Sequence, residues 1–146
     1  FIDQNKRISP SDFGFHNALR RDSSEVVFLD FEYFGWDDPA KMISDFLLHP
    51  SAGLPEDGKR WFVKTMVDSL DDTHQLADRL KAVYPLFGLK WCLILLNVFI
   101  PENLEKREIL TGDGFDKMTV QAEQLGKARN MLQNTRQNFQ RFPYYD

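Results

Sequence analysis

Three oxygen-bearing side chains near the start of the chain have the types and spacing that phosphoryl transfer requires. Asp12 is followed five positions later by Asn17, and Asp30 lies near the end of an apolar run. Transfer of a phosphoryl group to a hydroxyl needs a carboxylate that holds the acceptor O–H, together with oxygen ligands for Mg²⁺. We therefore predict that Asp12 is the base and that Asn17 and Asp30 hold the metal.

The elements that must position these side chains follow from the same stretch. A polar turn cluster separates Ala18-Leu19-Arg20 from a run of β-branched and aromatic residues that starts at Val26, which predicts two strands joined as a hairpin. Antiparallel pairing would place Asn17, just before the first strand, beside Asp30, near the end of the second. Because Asp30 closes an apolar strand, we expect it to be half-buried, where an unpaired charge would be costly.

Several of these residues also have a purely structural interpretation. Asp12 alone could stabilise a turn, and Asn17 alone could cap one. Glu32 is equally compatible with a group behind the metal ligands and with a surface charge. His16 could contact phosphate, but we favour a role in ordering the loop.

The first third of the chain resembles a known family. Residues 9–19 (Ser-Pro-Ser-Asp-Phe-Gly-Phe-His-Asn-Ala-Leu), residues 28–35 and Asp38-Pro39 resemble the aminoglycoside phosphotransferase and choline kinase group, whose fold is protein-kinase-like. The helical remainder shares only the general character of that group. One departure is that Pro10-Ser11 replaces the His-Gly that usually precedes the base.

This resemblance implies a function and further site residues. It implies ATP-dependent and Mg²⁺-dependent phosphoryl transfer to a hydroxyl of a small molecule, such as an aminoglycoside, choline or a sugar-like acceptor. Ser11 and His16 would support the catalytic loop. Tyr33 and Trp36 would line the acceptor pocket, although aromatic residues at such positions more often belong to a core.

The stretch before Asp12 is too short for the Gly-rich loop and the strand lysine that hold ATP in kinases. We therefore expect residues 1–146 to form one C-terminal substrate and metal lobe of a longer small-molecule kinase. The N-terminal nucleotide-binding lobe would be absent, and this fragment would be inactive by itself. The alternative is a catalytically inactive kinase-like module with a binding or regulatory role, which the Pro10-Ser11 replacement motivates. A protein kinase is disfavoured because the residue directly before Asp12 is not Arg and the residue directly after Phe31 is not Gly.

The predicted fold class is mainly α (α+β). Residues 1–37 carry the catalytic loop and the metal-binding hairpin, and residues 38–146 form a helical bundle. Asp38 caps a first helix that has Pro39 at its first position. Pro85 is expected to separate two helices. The predicted helices cover roughly residues 39–48, 55–70, 74–84, 86–100, 101–111 and 115–139.

Composition excludes some classes of protein. The net charge of −4 argues mildly against a nucleic-acid partner. The single cysteine, Cys92, excludes an internal disulfide, and its apolar neighbours favour a buried structural thiol. Lys90 and Asn97 interrupt the apolar run at residues 86–100, which is shorter than the roughly 20 residues of a bilayer span. We therefore expect a core helix, no membrane partner and a cytoplasmic protein, while the oligomeric state is not readable.

Two surface features have competing interpretations. The carboxylates of Asp68, Asp71, Asp72 and Asp78 could attract a cationic acceptor, but a solvated helix-terminal face is the better explanation. The C-terminal tail is rich in aromatic residues. It could shape the acceptor site, yet simple docking of the terminus on the body is slightly favoured.

Overall fold

The computed structural model describes residues 5–22, 25–70, 75–112 and 114–145. These residues are mainly helical with a small amount of strand, which confirms the mainly α class. The elements in chain order are β1 (Arg7–Ser9), β2 (Ala18–Arg20), β3 (Val26–Phe28), β4 (Gly35–Asp37), α1 (Pro39–Leu48), α2 (Glu56–Leu70), α3 (Leu76–Leu95), α4 (Pro101–Thr111) and α5 (Lys117–Asn138). Two short 3₁₀ helices cover Phe15–Asn17 and Leu96–Phe99.

The chain divides into two compact units. The first unit comprises Phe1–Phe87 with Phe139–Asp146, and the second comprises Gly88–Asn138. All four strands, α1 and α2 belong to the first unit. The hairpin region therefore shares one compact unit with the first two helices.

The predicted hairpin is confirmed. Strands β2 and β3 are antiparallel, with Ala18 opposite Phe28 and Arg20 opposite Val26. The second strand is shorter than the apolar run suggests, because regular pairing ends at Phe28.

A second antiparallel pair joins β1 to β4, with Arg7 opposite Asp37 and Ser9 opposite Gly35. Sequence reasoning missed this pair, because three residues are too few to show a strand period. The pair brings residues 7–9, which precede Asp12, next to the start of α1.

Helix α1 begins and ends as predicted. The side chain of Asp38 accepts a hydrogen bond from the backbone N–H of Ala40 at 2.7 Å, and Pro39 occupies the first helical position. The helix ends at Leu48, before His49 and Pro50. The first unit has its core here, since α1 and α2 bury apolar side chains such as Ile43 and Val63 completely.

The predicted boundary at Pro85 is wrong. Helix α3 runs without a break from Leu76 to Leu95 and contains Pro85. A proline inside a helix removes one hydrogen bond and costs about 3 kcal/mol. The burial of Leu80 and Tyr84, one turn apart on this helix, offsets that cost. The predicted start of this helix at residue 74 lies outside the described residues.

The continuity of α3 also removes the length argument against a membrane span. In the described part of the chain, the 24 residues Leu76–Phe99 form one helical stretch that is long and apolar enough to cross a bilayer. Only 28% of its apolar window is buried. Length and composition alone are weak support for a span, because core helices of other proteins share both.

The aromatic tail docks on the first unit, as favoured. Phe142 is buried, and its ring makes an edge contact with Tyr84 at 5.1 Å between centroids. The ring of Tyr144 also contacts Tyr84, and its hydroxyl accepts a hydrogen bond from Lys59 Nζ at 3.4 Å. Phe139 does not take part, since it is 58% exposed.

In the second unit, Cys92 is the buried thiol that the sequence predicts. Its Sγ lies 3.6 Å from the carbonyl oxygen of Ala128 on α5, and burial raises the pKa of the thiol. A thiol with a raised pKa is a poor nucleophile. Cys92 is therefore structural.

Candidate active site

The turn that presents Asp12 is strained. Ser11 has φ of 63°, and the backbone N–H of Asp12 donates to the carbonyl oxygen of Pro10 at 2.7 Å. This hydrogen bond closes a three-residue γ-turn, a tight turn that is rare in proteins. A positive φ at a residue other than glycine persists only where surrounding contacts enforce it, and such residues concentrate at functional sites. Ser11 stands where the resembling family has glycine.

A polar cluster under the turn supplies those contacts. The Ser11 hydroxyl donates to Asp37 Oδ2 at 2.9 Å, and the backbone N–H of Ser11 donates to Ser9 Oγ at 3.0 Å. Lys41 Nζ lies 2.6 Å from the same Asp37 oxygen and 3.1 Å from Ser11 Oγ. The turn is therefore anchored to β1, β4 and α1. Sequence reasoning missed Asp37 and Lys41, although their spacing of four residues at the start of a helix was a visible signal.

We expect Asp37→Asn to destabilise the first unit by about 1–2 kcal/mol, because Lys41 and Ser11 lose a charged partner. Burial raises the pKa of Asp37, but hydrogen bonds from Lys41, Ser11 and the Asp38 N–H outweigh it, so the pKa lies below 3.8. The stability that Asp37 contributes is therefore present above pH 3.8 and is lost as pH falls through the lower folded pKa. Urea unfolding at about pH 6 and about pH 3 measures this, and the variant should lose less stability between them. An equal loss of stability in Asp37→Asn and in the unmodified protein would contradict the contribution assigned to the Asp37 carboxylate.

Asp12 and Asn17 meet directly. The Asn17 side-chain NH₂ donates to the carbonyl oxygen of Asp12 at 3.0 Å and to Asp12 Oδ2 at 3.3 Å. Because the nitrogen faces Asp12, the amide oxygen of Asn17 faces away from it and can serve as a ligand. The Asp12 side chain remains 54% exposed. This carboxylate is thus fixed in position and accessible.

His16 contacts the other oxygen of the same carboxylate. Its Nε2 lies 3.1 Å from Asp12 Oδ1. A Cβ atom on Gly14 would lie 2.5 Å from the His16 ring, so only glycine permits this packing. The His16 ring also packs against His49, which directly follows α1. The two rings are stacked with their centroids 4.0 Å apart. These contacts agree with the loop-ordering role expected of His16.

His49 should make stability depend on pH. Burial lowers the pKa of His49 and the charge of His16 lowers it further, although Asp12 and Asp45 act in the opposite direction. The unfolded chain therefore binds a proton more readily than the native chain. The free energy of unfolding should decrease as pH falls from about 6.5 and level off below the folded pKa. His49→Phe keeps a flat ring but cannot titrate, so denaturation curves of this variant should lack that component. An identical pH slope in the variant would refute the role of His49.

Asp30 lies across the hairpin from the loop formed by residues 12–17. The backbone N–H of Leu29 donates to the carbonyl oxygen of Asn17 at 2.8 Å, so the residues before β2 and after β3 are neighbours as predicted. The expected half-buried position is wrong, because Asp30 is exposed. It leaves the strand in the left-handed region with φ of 60°. Its charge therefore faces solvent instead of a core.

Three carboxylates of this region raise the pKa of Tyr33. A hydrogen bond to Glu32 is the main cause that raises the pKa of the Tyr33 phenol, and the charges of Asp30 and Asp12 raise it further. The two aspartates therefore act on one point although they lie 18 positions apart in the sequence. Glu32 is placed on the surface beside them, since it is exposed.

A pocket of about 300 Å³ opens beside Asp12 and Asn17. Its other lining side chains are apolar: Pro10, Phe13, Phe28, Leu29, Phe31, Met42 and Met66. Tyr33 and Trp36, the predicted pocket residues, are not in this lining and are 66% and 65% exposed.

The donor atoms suit a metal that is bound together with a substrate. Within the described ranges, no group of three His, Cys, Asp or Glu side chains could hold a metal ion. Asn17 and Asp30 offer one amide oxygen and one carboxylate. Mg²⁺ is commonly held by one or two carboxylates, with substrate phosphates and water completing its coordination. The residues therefore fit a magnesium–nucleotide complex better than a free ion.

The acidic residues on the helices are engaged with lysines. Asp68 pairs with Lys64 at 2.9 Å, and Asp78 pairs with Lys81 at 3.6 Å. The remaining two members of the acidic set, Asp71 and Asp72, lie outside the described residues. The described pairs agree with a solvated helix surface.

Comparisons with protein-family models, with curated proteins and with solved structures found no match to this chain.

Proposed function

We propose that this chain carries the base and metal ligands of a small-molecule kinase, which transfers a phosphoryl group from ATP to a hydroxyl. The observation that supports this most is the pair of hydrogen bonds that joins Asn17 to Asp12. Asp30 is close to this pair in the fold, because the backbone N–H of the preceding residue, Leu29, donates to the carbonyl oxygen of Asn17. A base and two oxygen ligands in one region are what phosphoryl transfer to an alcohol needs.

Asp12 is the proposed base. Its carboxylate is held by His16 on one oxygen and by Asn17 on the other, yet more than half of the side chain is exposed. An acceptor O–H can therefore donate to it, and this orients the hydroxyl oxygen for attack. The proton of that hydroxyl passes to Asp12 as the bond from the hydroxyl oxygen to the γ-phosphorus of ATP forms and the bond from that phosphorus to ADP breaks, which releases ADP.

Asn17 and Asp30 are the proposed ligands of Mg²⁺, which neutralises charge on the phosphates when it is bound. The Asn17 NH₂ donates its hydrogen bonds to Asp12, so the amide oxygen is the atom that Asn17 would offer to Mg²⁺. Asp30 is exposed and offers a carboxylate as the second ligand. The proposed base and ligands would thus come from the loop before the β2–β3 hairpin and from the residues directly after it.

Activity should be tested in the longest natural protein in which this chain occurs. ATP consumption is followed with and without Mg²⁺, over a panel of hydroxylated acceptors. Acceptor-dependent and Mg²⁺-dependent formation of ADP is the expected result. Nucleotide binding without turnover on any acceptor would instead favour the catalytically inactive, regulatory alternative, and a complete lack of Mg²⁺-dependent nucleotide binding would refute the proposal.

A further inference from the structure

The pocket beside Asp12 differs from a sugar or aminoglycoside site in its chemistry. Seven of its nine lining residues are apolar, and its two polar residues are Asp12 and Asn17. A ligand with many hydroxyl or ammonium groups would lose water on entering such a pocket and gain few hydrogen bonds in return. Each polar group buried without a partner costs free energy. The lining therefore disfavours a polyhydroxylated acceptor.

The charge of the pocket lining also disfavours cationic acceptors. Asp12 is the one ionisable residue in the described lining of the pocket. A permanent cation seated there would pair with Asp12 and compete with the hydroxyl for the same carboxylate. A polycation would also need several carboxylates, and Asp12 is the only carboxylate in the described lining of the pocket.

The volume and the walls indicate what fits instead. An engineered apolar cavity of about 150 Å³ in another protein binds benzene. This pocket, of about 300 Å³, has room for one ring with a short side arm. Phe13, Phe28 and Phe31 supply aromatic walls, which favour contact with an apolar ring. Asp12 adds almost no polar surface to these walls, so a single hydroxyl on that arm would reach the exposed Asp12 carboxylate at the rim of the pocket.

We propose that the pocket binds an uncharged alcohol with one apolar ring, with the ring among the phenylalanines and the methionines and the hydroxyl donating to Asp12. This inference rests on the proposed function in one respect: only if the protein transfers a phosphoryl group is the alcohol bound to Asp12 the acceptor. The binding itself requires neither ATP nor Mg²⁺, so it can be measured on the 146-residue chain.

Binding is tested by NMR titration of the ¹⁵N-labelled chain with 2-phenylethanol. Its methyl ether, which cannot donate a hydrogen bond, is the matched ligand control. We expect the alcohol to shift the amide signals of residues 12–17 and 28–31 and to bind about tenfold more tightly than the ether. In Asp12→Ala this preference for the alcohol should disappear. Equal binding of alcohol and ether to the unmodified chain would overturn the assignment of the hydroxyl to Asp12.

A matched pair of variants locates the ligand. Met66 on α2 lines the pocket, whereas Met118 on α5 is 80% exposed. Met66→Glu places a charge in the apolar wall and should weaken binding at least about tenfold, while Met118→Glu makes the same change outside the pocket and should have no effect. If Met66→Glu does not fold, Met66→Phe should still weaken binding, because the larger ring fills the pocket. Unchanged affinity in a folded Met66 variant would overturn the proposal.

The three acceptor classes implied by the family resemblance complete the test. Kanamycin, choline and glucose are titrated under the same conditions and should bind more weakly than 2-phenylethanol. Tighter binding of any of them at residues 12–17 would overturn the proposed ligand class. Alcohol binding without phosphoryl transfer by the longer protein would refute the proposed function alone. Transfer to a sugar without alcohol binding would refute the pocket assignment alone.

Discussion

Replacing Asp12 with alanine is expected to lower kcat for phosphoryl transfer by roughly 10²–10⁴-fold, the usual contribution of a general base. The fold should be retained, because the Asp12 side chain is 54% exposed and belongs to no apolar core. Asp12→Asn should be impaired to a similar degree, since an amide of the same shape accepts no proton. Rates at saturating ATP and acceptor measure the effect in the longest natural form of the protein.

Asp22→Ala is the control for this experiment. Asp22 is an exposed carboxylate in the turn of the same hairpin, so its removal changes net charge equally without touching the loop. Its kcat should stay within about twofold of the unmodified protein. If Asp12→Ala behaved like Asp22→Ala, Asp12 would not be the base, and the proposed function would lose its main support.

The second large effect is expected from Asp30→Asn. Asparagine is the appropriate replacement because Asp30 has φ of 60°, a conformation that asparagine adopts more readily than most residues. The substitution therefore removes the charge with little change in backbone strain. We expect the Mg²⁺ concentration for half-maximal activity to rise by about tenfold or more. The rate as a function of Mg²⁺ concentration measures this.

Asp30→Gly distinguishes the loss of the side-chain ligand from an effect on the backbone conformation. Glycine accepts the positive φ without strain but offers no side-chain oxygen. High Mg²⁺ should restore part of the activity of Asp30→Asn, whose amide oxygen can still coordinate, and little of that of Asp30→Gly. A Mg²⁺ dependence identical to that of the unmodified protein in both variants would exclude Asp30 as a ligand.

Local signals in the sequence were sufficient for much of the secondary structure near the site. A polar turn between two apolar runs predicted the β2–β3 hairpin, and Asp38-Pro39 predicted the start of α1. Both depend on contacts between residues close in the chain, which composition and spacing reveal. Pro85 shows the limit of such reasoning, since α3 continues through a residue that usually ends a helix. Burial of Leu80 and Tyr84 outweighs the local preference there.

The supports of the candidate site come from contacts between distant parts of the chain. Ser11 meets Asp37 and Lys41 because β1 pairs with β4, and three-residue strands leave no recognisable period. His16 meets His49 because α1 ends beside the loop. Asp30 is exposed and has a left-handed backbone conformation, and the apolar run before it indicated neither.

The sequence by itself therefore determined which side chains could act as base and metal ligands, and which short hairpin lies between them in the chain. Side-chain type and local spacing are enough for that, because the loop and hairpin are built from neighbouring residues. Only the tertiary structure decided how the strained turn at Ser11 is held, and that apolar walls surround Asp12 on its pocket side. Those walls come from the loop, the hairpin, α1 and α2, and only packing of these elements brings them together.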